Sequence, residues 1–171
     1  RNNDLRNVLS EDRLNYDILS HTALTRATGQ SASGQDLANV NWGNYDLVVI
    51  DESHNFRNAA YGKDDDDGIH RFTRYERLME TVLKSGVNTR VLLLTATPVN
   101  NHLRDLRNQI YLITRHSEDA LKDSAGISHI GNTVNIAEKQ YRAWADPAKP
   151  RPLDATELLD KLDSGFFKLL D

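Results

Sequence analysis

Two short segments carry residue types that can do chemistry. The first is Asp51-Glu52-Ser53-His54, directly after the apolar run Tyr45-Asp46-Leu47-Val48-Val49-Ile50. The second is Thr95-Ala96-Thr97-Pro98, directly after Arg90-Val91-Leu92-Leu93-Leu94. Two adjacent carboxylates at the end of a rigid strand suit phosphoryl transfer to water. One can hold Mg²⁺ while the other orients and deprotonates the attacking water. Successive residues leaving a strand point in different directions, which lets the two roles separate. The hydroxyls of Thr95 and Thr97 would reach the same rim and could hydrogen-bond the carboxylates or His54. Taken singly, each segment also reads as a turn: Asp51 could cap the next turn with Glu52 solvated, and Thr95–Pro98 could cap a helix. Together, in this order and both at strand ends, they point to one site.

The elements that must position them follow from the apolar pattern. Both runs are short, apolar without alternation, and rich in leucine or β-branched residues, as in strands buried on both faces of a parallel sheet. Ligands of open α/β sheets sit at the carboxyl ends of such strands. Tyr16-Asp17-Ile18-Leu19 is a third strand candidate. Between the strong strands the spacing of Leu78, Met79, Val82 and Leu83 predicts a helix over Ile69–Ser85, with Gly86 as its C-terminal cap. Strand, helix and strand form a crossover unit. After Pro98, an amphipathic helix is expected with Leu103, Leu106, Ile110 and Ile113 on its core face. Farther on, Ser124–Thr133 reads as a loop, Ile136–Trp144 as a helix, and Asp146–Leu153, with three of the four prolines, as a linker. Asp154 and Glu157 have the spacing of a capping box for a last helix with Leu158, Leu159 and Leu162.

Composition narrows the class. No stretch approaches the roughly eighteen apolar residues of a membrane span, and no signal peptide is recognisable. There is no cysteine, which excludes disulfide scaffolds and thiolate metal sites and fits a reducing cytoplasm. The net charge of −4 is matched by the four acidic residues Asp64–Asp67, so the remainder is balanced and charge neither favours nor opposes nucleic acid. That acidic run is expected as a solvated loop, lacking the glycine and ligand spacing of a calcium loop. The six histidines show no zinc-binding spacing. Trp42 is expected beneath the first strand, and Lys139, Arg142, Lys149 and Arg151 on a solvated face.

Leu47 to Asn58 resembles motif II of superfamily 2 helicases, with Asn55–Asn58 similar to the SWI/SNF-like branch. Leu92 to Asn101, followed by Leu103, Asp105 and Leu106, resembles motif III of that branch; Ala96, where many eukaryotic remodellers have glycine, is closer to bacterial members. Tyr16 to Leu24 is loosely similar to the strand and loop of motif Ib. The resemblance covers about residues 15–115. It implies an α/β fold: part of a RecA-like P-loop NTPase lobe over 1–115, its parallel sheet flanked by helices, with a helical insertion or extension over 116–171. It implies ATP and Mg²⁺ as cofactors. Asp51 would hold the metal, through water, and Glu52 would be the general base. His54 would couple the nucleotide site to motif III, and Thr95, Ala96 and Thr97 would relay nucleotide state. Ser20, His21 and Thr22 would contact the nucleic-acid backbone, which positions a strand without reading sequence.

The implied activity is nucleic-acid-dependent ATP hydrolysis driving movement along duplex DNA, with RNA as the alternative partner and a second RecA-like lobe closing over nucleotide. The rival readings are the motor of a restriction system and a degenerate lobe serving as a scaffold. A phosphate-cradling G-x-x-x-x-G-K-[ST] loop does not occur in the sequence; Gly29 to Gly34 has glycines but no lysine. The chain is therefore expected to be a piece of a longer protein, with that loop upstream and the second lobe downstream, and to bind and hydrolyse ATP poorly alone.

Overall fold

The computed structural model describes residues 16–26, 28–32, 34–99, 102–146, 148 and 154–170. The chain divides into two compact units, Arg1–Val40 and Asn41–Asp171. Architecture is mixed α/β: a small parallel sheet with helices, and no helix among the described residues long and apolar enough to cross a membrane.

In the first unit, the Tyr16–Leu19 segment forms no strand. It is irregular, with Tyr16 and Ile18 largely exposed, and leads into a 3-10 turn over His21–Thr25. A second such turn, Leu37–Asn39, is capped by the Asp36 side chain, which accepts from the Ala38 amide. A short apolar-biased run makes a strand only where its backbone groups join a ladder, and this segment is part of neither sheet.

The second unit is built on β1 (Leu47–Ile50) and β4 (Arg90–Leu93), paired in parallel with Leu47 opposite Arg90 and Ile50 opposite Leu93. Arg90 N donates to Asp46 O, Leu94 N to Ile50 O and Ser53 N to Leu94 O, so the ladder runs past both strand ends. The expected burial on both faces holds for one face only. Ile50 is buried and Val48, Val91 and Leu93 are half-buried, whereas Leu47, Val49, Leu92 and Leu94 are exposed. A sheet of two strands with helices against one side leaves the other side open, whatever its residues.

A parallel pair needs a long crossover, and here it contains a hairpin as well as a helix. The hairpin strands are β2 (Lys63–Asp64) and β3 (His70–Arg71), antiparallel. The acidic run forms its ordered turn: Asp65 Oδ1 accepts from the amides of Asp67 and Ile69. The helix therefore begins not at Ile69 but at Arg74. We call it α1; it is α-helical over Arg74–Glu76 and π-helical over Arg77–Lys84. Thr73 caps it, accepting from the Glu76 amide. The stripe Leu78, Met79, Val82 and Leu83 is buried as the spacing predicts. Gly86 does not act as a left-handed cap. It sits where a Cβ would come within 1.7 Å of the Gly43 carbonyl oxygen, so its role is close backbone approach.

Helix α2 (Arg104–Thr114) departs most from expectation. Its buried residues are Asp105, Asn108, Gln109, Tyr111 and Leu112, while Leu103, Leu106 and Ile110 are half-buried and Ile113 is exposed. The polar side is turned inward because distant groups satisfy it: Asn108 Nδ2 donates to Arg57 O at 2.6 Å, and Gln109 is fully engaged (below). Arg115 and His116, both at positive φ, end the helix. The expected loop at 124–133 overlaps the end of the short α3 (Lys122–Ala125) and the start of α4 (Ile130–Trp144), which begins six residues earlier than predicted. Ile130, Val134 and Ala137 of α4 are buried, and α4 packs against α2. Asp154 caps α5 (Ala155–Lys161), accepting from the Thr156 amide, while Glu157 pairs with Lys161. Helix α6 (Ser164–Lys168) buries Phe166. Most of the expected linker, with Lys149 and Arg151, lies outside the described residues.

Candidate active site at the strand ends

The carboxyl ends of β1 and β4 place Asp51–His54 beside Thr95–Thr97. Where β1 ends, the chain turns sharply: Glu52 has φ +50°, and the following 3-10 turn spans Ser53–Phe56. A non-glycine residue in this region carries strain of about 1–2 kcal/mol, here held by local bonds. The Glu52 amide donates to Asp51 Oδ1 at 2.9 Å, and both the amide and the side-chain Nδ2 of Asn55 donate to the Glu52 carbonyl at 3.0 Å. Below the turn, Phe56 and Ser53 are buried and anchor it. Asp51 and Glu52 are thereby both presented to solvent, Glu52 with 59% of its side chain exposed.

His54 is the junction. Its Nδ1 lies 3.1 Å from Glu52 Oε2 and 3.2 Å from Thr95 Oγ1. The Thr95 hydroxyl oxygen also accepts from the Thr97 amide at 3.2 Å. Two arrangements satisfy this geometry. With a proton on Nδ1, the imidazole donates toward the Glu52 carboxylate; without it, Nδ1 accepts from the Thr95 hydroxyl. His54 thus joins the hydrogen bonding of the two turns. Ala96 and the Thr97 side chain are exposed at the same rim.

Ser20, His21 and Thr22 belong to the first unit. Ser20 precedes the 3-10 turn, its Oγ lies 3.0 Å from Thr22 Oγ1, and Ser20 and Thr22 are exposed with His21 half-buried.

Two residues that sequence reasoning passed over complete the site from below. Ser53 is 0% and Gln109 4% exposed. The Ser53 hydroxyl donates to Gln109 Oε1 at 3.0 Å, and Gln109 Nε2 donates to Pro98 O at 2.6 Å and Asp105 O at 3.3 Å. The only advance signal for Gln109 is a polar residue inside an amphipathic helix, which ordinarily marks the solvent side.

Three other histidines serve elsewhere. His70 bridges Asp64 and Glu76, His102 meets Glu138, and His116 meets the Tyr75 hydroxyl. Trp42 is half-buried, with the Arg77 guanidinium 5.8 Å from its ring. Arg142 pairs with Glu138.

No group of three or more His, Asp or Glu side chains among the described residues could enclose a metal ion. The carboxylate pair fits a different arrangement. Mg²⁺ takes one or two carboxylates and completes its shell with water and substrate phosphates, and Asp51 offers an exposed carboxylate fixed on one side by the Glu52 amide. Comparison with protein-family models, curated proteins and solved structures returns no match.

Proposed function

We propose that this chain supplies the hydrolytic side of an ATP-driven nucleic-acid motor, as part of the first RecA-like lobe of a DExH ATPase of superfamily 2, similar to the SWI/SNF-like branch. The observation that carries the reading is His54 standing between Glu52 and Thr95 at the carboxyl ends of two paired parallel strands. A phosphate-hydrolysing site that must report its state needs a connection of this kind between the carboxylate turn and a second turn.

In this reading Asp51 would hold Mg²⁺. When bound, the metal supplies charge neutralisation at the phosphate oxygens. Glu52, held outward by its left-handed backbone, orients a water and accepts its proton at the carboxylate. Once Glu52 is neutral, the N–H at Nδ1 of His54 is released from the carboxylate and can donate to the Thr95 hydroxyl oxygen instead, which passes the change to Thr95–Thr97. Ser20, His21 and Thr22 are proposed contacts to the phosphate backbone of duplex DNA, and a cytoplasmic location belongs to the same proposal. A second lobe would close over the nucleotide. The chain has no phosphate-cradling glycine-lysine loop, so alone it should bind ATP weakly.

The test is ATP hydrolysis by the protein at its full natural length, with and without duplex DNA, comparing wild type with Glu52→Gln. Strong DNA stimulation that the substitution removes, with nucleotide binding kept, is expected. Hydrolysis that ignores DNA, or a Glu52→Gln protein as active as wild type, overturns the motor reading and leaves a scaffolding lobe. Nuclease activity in the same protein would assign the motor to a restriction system.

A further inference from the structure

Beneath the site, one buried amide touches both turns. Gln109 projects from α2 with its oxygen toward Ser53, inside the carboxylate turn, and its nitrogen toward the Pro98 carbonyl, at the end of the threonine turn. The second nitrogen hydrogen faces Asp105 O on its own helix, which fixes the amide orientation. Both amide hydrogens and the carbonyl oxygen are engaged, in a side chain 4% exposed. Ser53 is equally committed, its amide donating to Leu94 O and its hydroxyl to Gln109. A buried, fully satisfied polar network specifies one arrangement, since any shift of one partner strands the others.

We infer that Gln109 is a positioning residue of the proposed ATPase, a rigid strut that holds the Asp51–Glu52 turn and the Thr95–Pro98 turn at a fixed spacing so that His54 can exchange partners between them. The inference rests on the proposed function for its catalytic consequence; the strut itself rests on the hydrogen bonds. His54 and Thr95 link the turns at the exposed rim, where the bond can switch. Gln109 links them in the interior, where the bonds cannot be replaced by water. A fixed spacing below keeps the Glu52 contact at 3.1 Å and the Thr95 contact at 3.2 Å within reach of one nitrogen.

Three substitutions separate the arms. Gln109→Met keeps length and removes both polar contacts. Gln109→Glu keeps the acceptor for Ser53 and removes the donor to Pro98. Ser53→Ala removes the other end alone. In the present chain, backbone amide resonances of Thr97 and Val99 should shift on Ser53→Ala, and that shift should vanish when Ser53→Ala is made in the Gln109→Met background. Gln109→Glu should disturb Thr97 and Val99 while leaving Ser53 in place. In the full-length protein, each single substitution should lower kcat about tenfold to a hundredfold with KM for ATP little changed. The Ser53→Ala/Gln109→Met double variant should lose no more than the worse single.

Losses that multiply, a raised KM with unchanged kcat, or resonances of the threonine turn that ignore Ser53 would each overturn the strut. If wild type shows no hydrolysis at all, the proposed function fails while the resonance experiment still decides whether Gln109 links the turns.

Discussion

The Nδ1 atom of His54 lies 3.2 Å from the hydroxyl oxygen of Thr95, a residue 41 positions later in the chain. The same nitrogen is 3.1 Å from the carboxylate of Glu52, two positions earlier. Strand pairing creates this proximity. Ile50 sits opposite Leu93, so the residues that follow each strand leave the sheet side by side.

Thr95→Val should separate coupling from stability. The substitution removes the acceptor for the Thr97 amide and the partner of His54 at a half-exposed position. Unfolding free energy from urea titration should fall by no more than about 1 kcal/mol. Under the proposed function, DNA-stimulated ATP hydrolysis should fall at least about tenfold through loss of a transition-state contact. A variant with full hydrolysis would remove Thr95 from the proposed relay.

Gly86→Ala should be costly despite its exposed position. The added Cβ would stand 1.7 Å from the Gly43 carbonyl oxygen, which accepts from the Val87 amide at 3.0 Å. Gly43 and Gly86 precede β1 and β4 respectively, so their separation helps set the strand register. Overpacking of this kind costs about 1–3 kcal/mol, to be read from urea denaturation. A neutral result would mean the two backbones part without disturbing the strands.

Raising pH should loosen the hairpin. His70 Nδ1 is 2.7 Å from Asp64 and Nε2 is 2.8 Å from Glu76, and both nitrogens donate only in the protonated ring. Hydrogen bonds from Asp64 and then Glu76 hold the imidazole above its ordinary value. Also close are Asp65, which pairs with Arg71, and the Phe72 ring, on which the Arg77 guanidinium rests. A raised folded-state value makes the contribution complete below the unfolded value of about 6.5. It is then lost as pH climbs through the folded-state value. Amide exchange at Asp65 and Gly68, corrected for its intrinsic pH dependence, should show protection falling over that range in wild type and pH-independent in His70→Phe. Protection that rises with pH would contradict the bridge.

The two sheet faces should respond oppositely to substitution. Val49→Thr and Leu92→Thr lie on the open face, 52% and 48% exposed, and should each change stability by about 0.5 kcal/mol or less. Ile50→Ala, at 5% exposure, should cost about 2–5 kcal/mol. Equal losses at Val49 and Ile50 would show that the open face is covered in solution.

Much of the scaffold was legible in advance. The apolar runs ending at Ile50 and Leu94 mark two strands, and the stripe Leu78, Met79, Val82, Leu83 marks the core face of α1. The start of α1 was legible too, though in a different signal: Thr73 and Glu76 have capping spacing, and Thr73 caps the helix. Glu76 does not return that bond. Its side chain accepts from the Gly62 amide at 2.8 Å and meets His70. The hairpin thus occupies residues that helical periodicity had claimed back to Ile69.

The sequence by itself determined the order of the strands and the residues standing at their ends, because strand apolarity and chain continuity are local properties. Tertiary structure alone decided which side of α2 faces inward. Periodicity ranks Leu103, Leu106, Ile110 and Ile113 as the core face, because it weighs hydrophobicity and cannot see hydrogen-bond partners. Ser53, 56 positions from Gln109, and Arg57, 51 positions from Asn108, supply those partners. A polar group fully paired in the interior avoids the desolvation cost that would otherwise keep it in water, and that pairing exists only once the chain has folded.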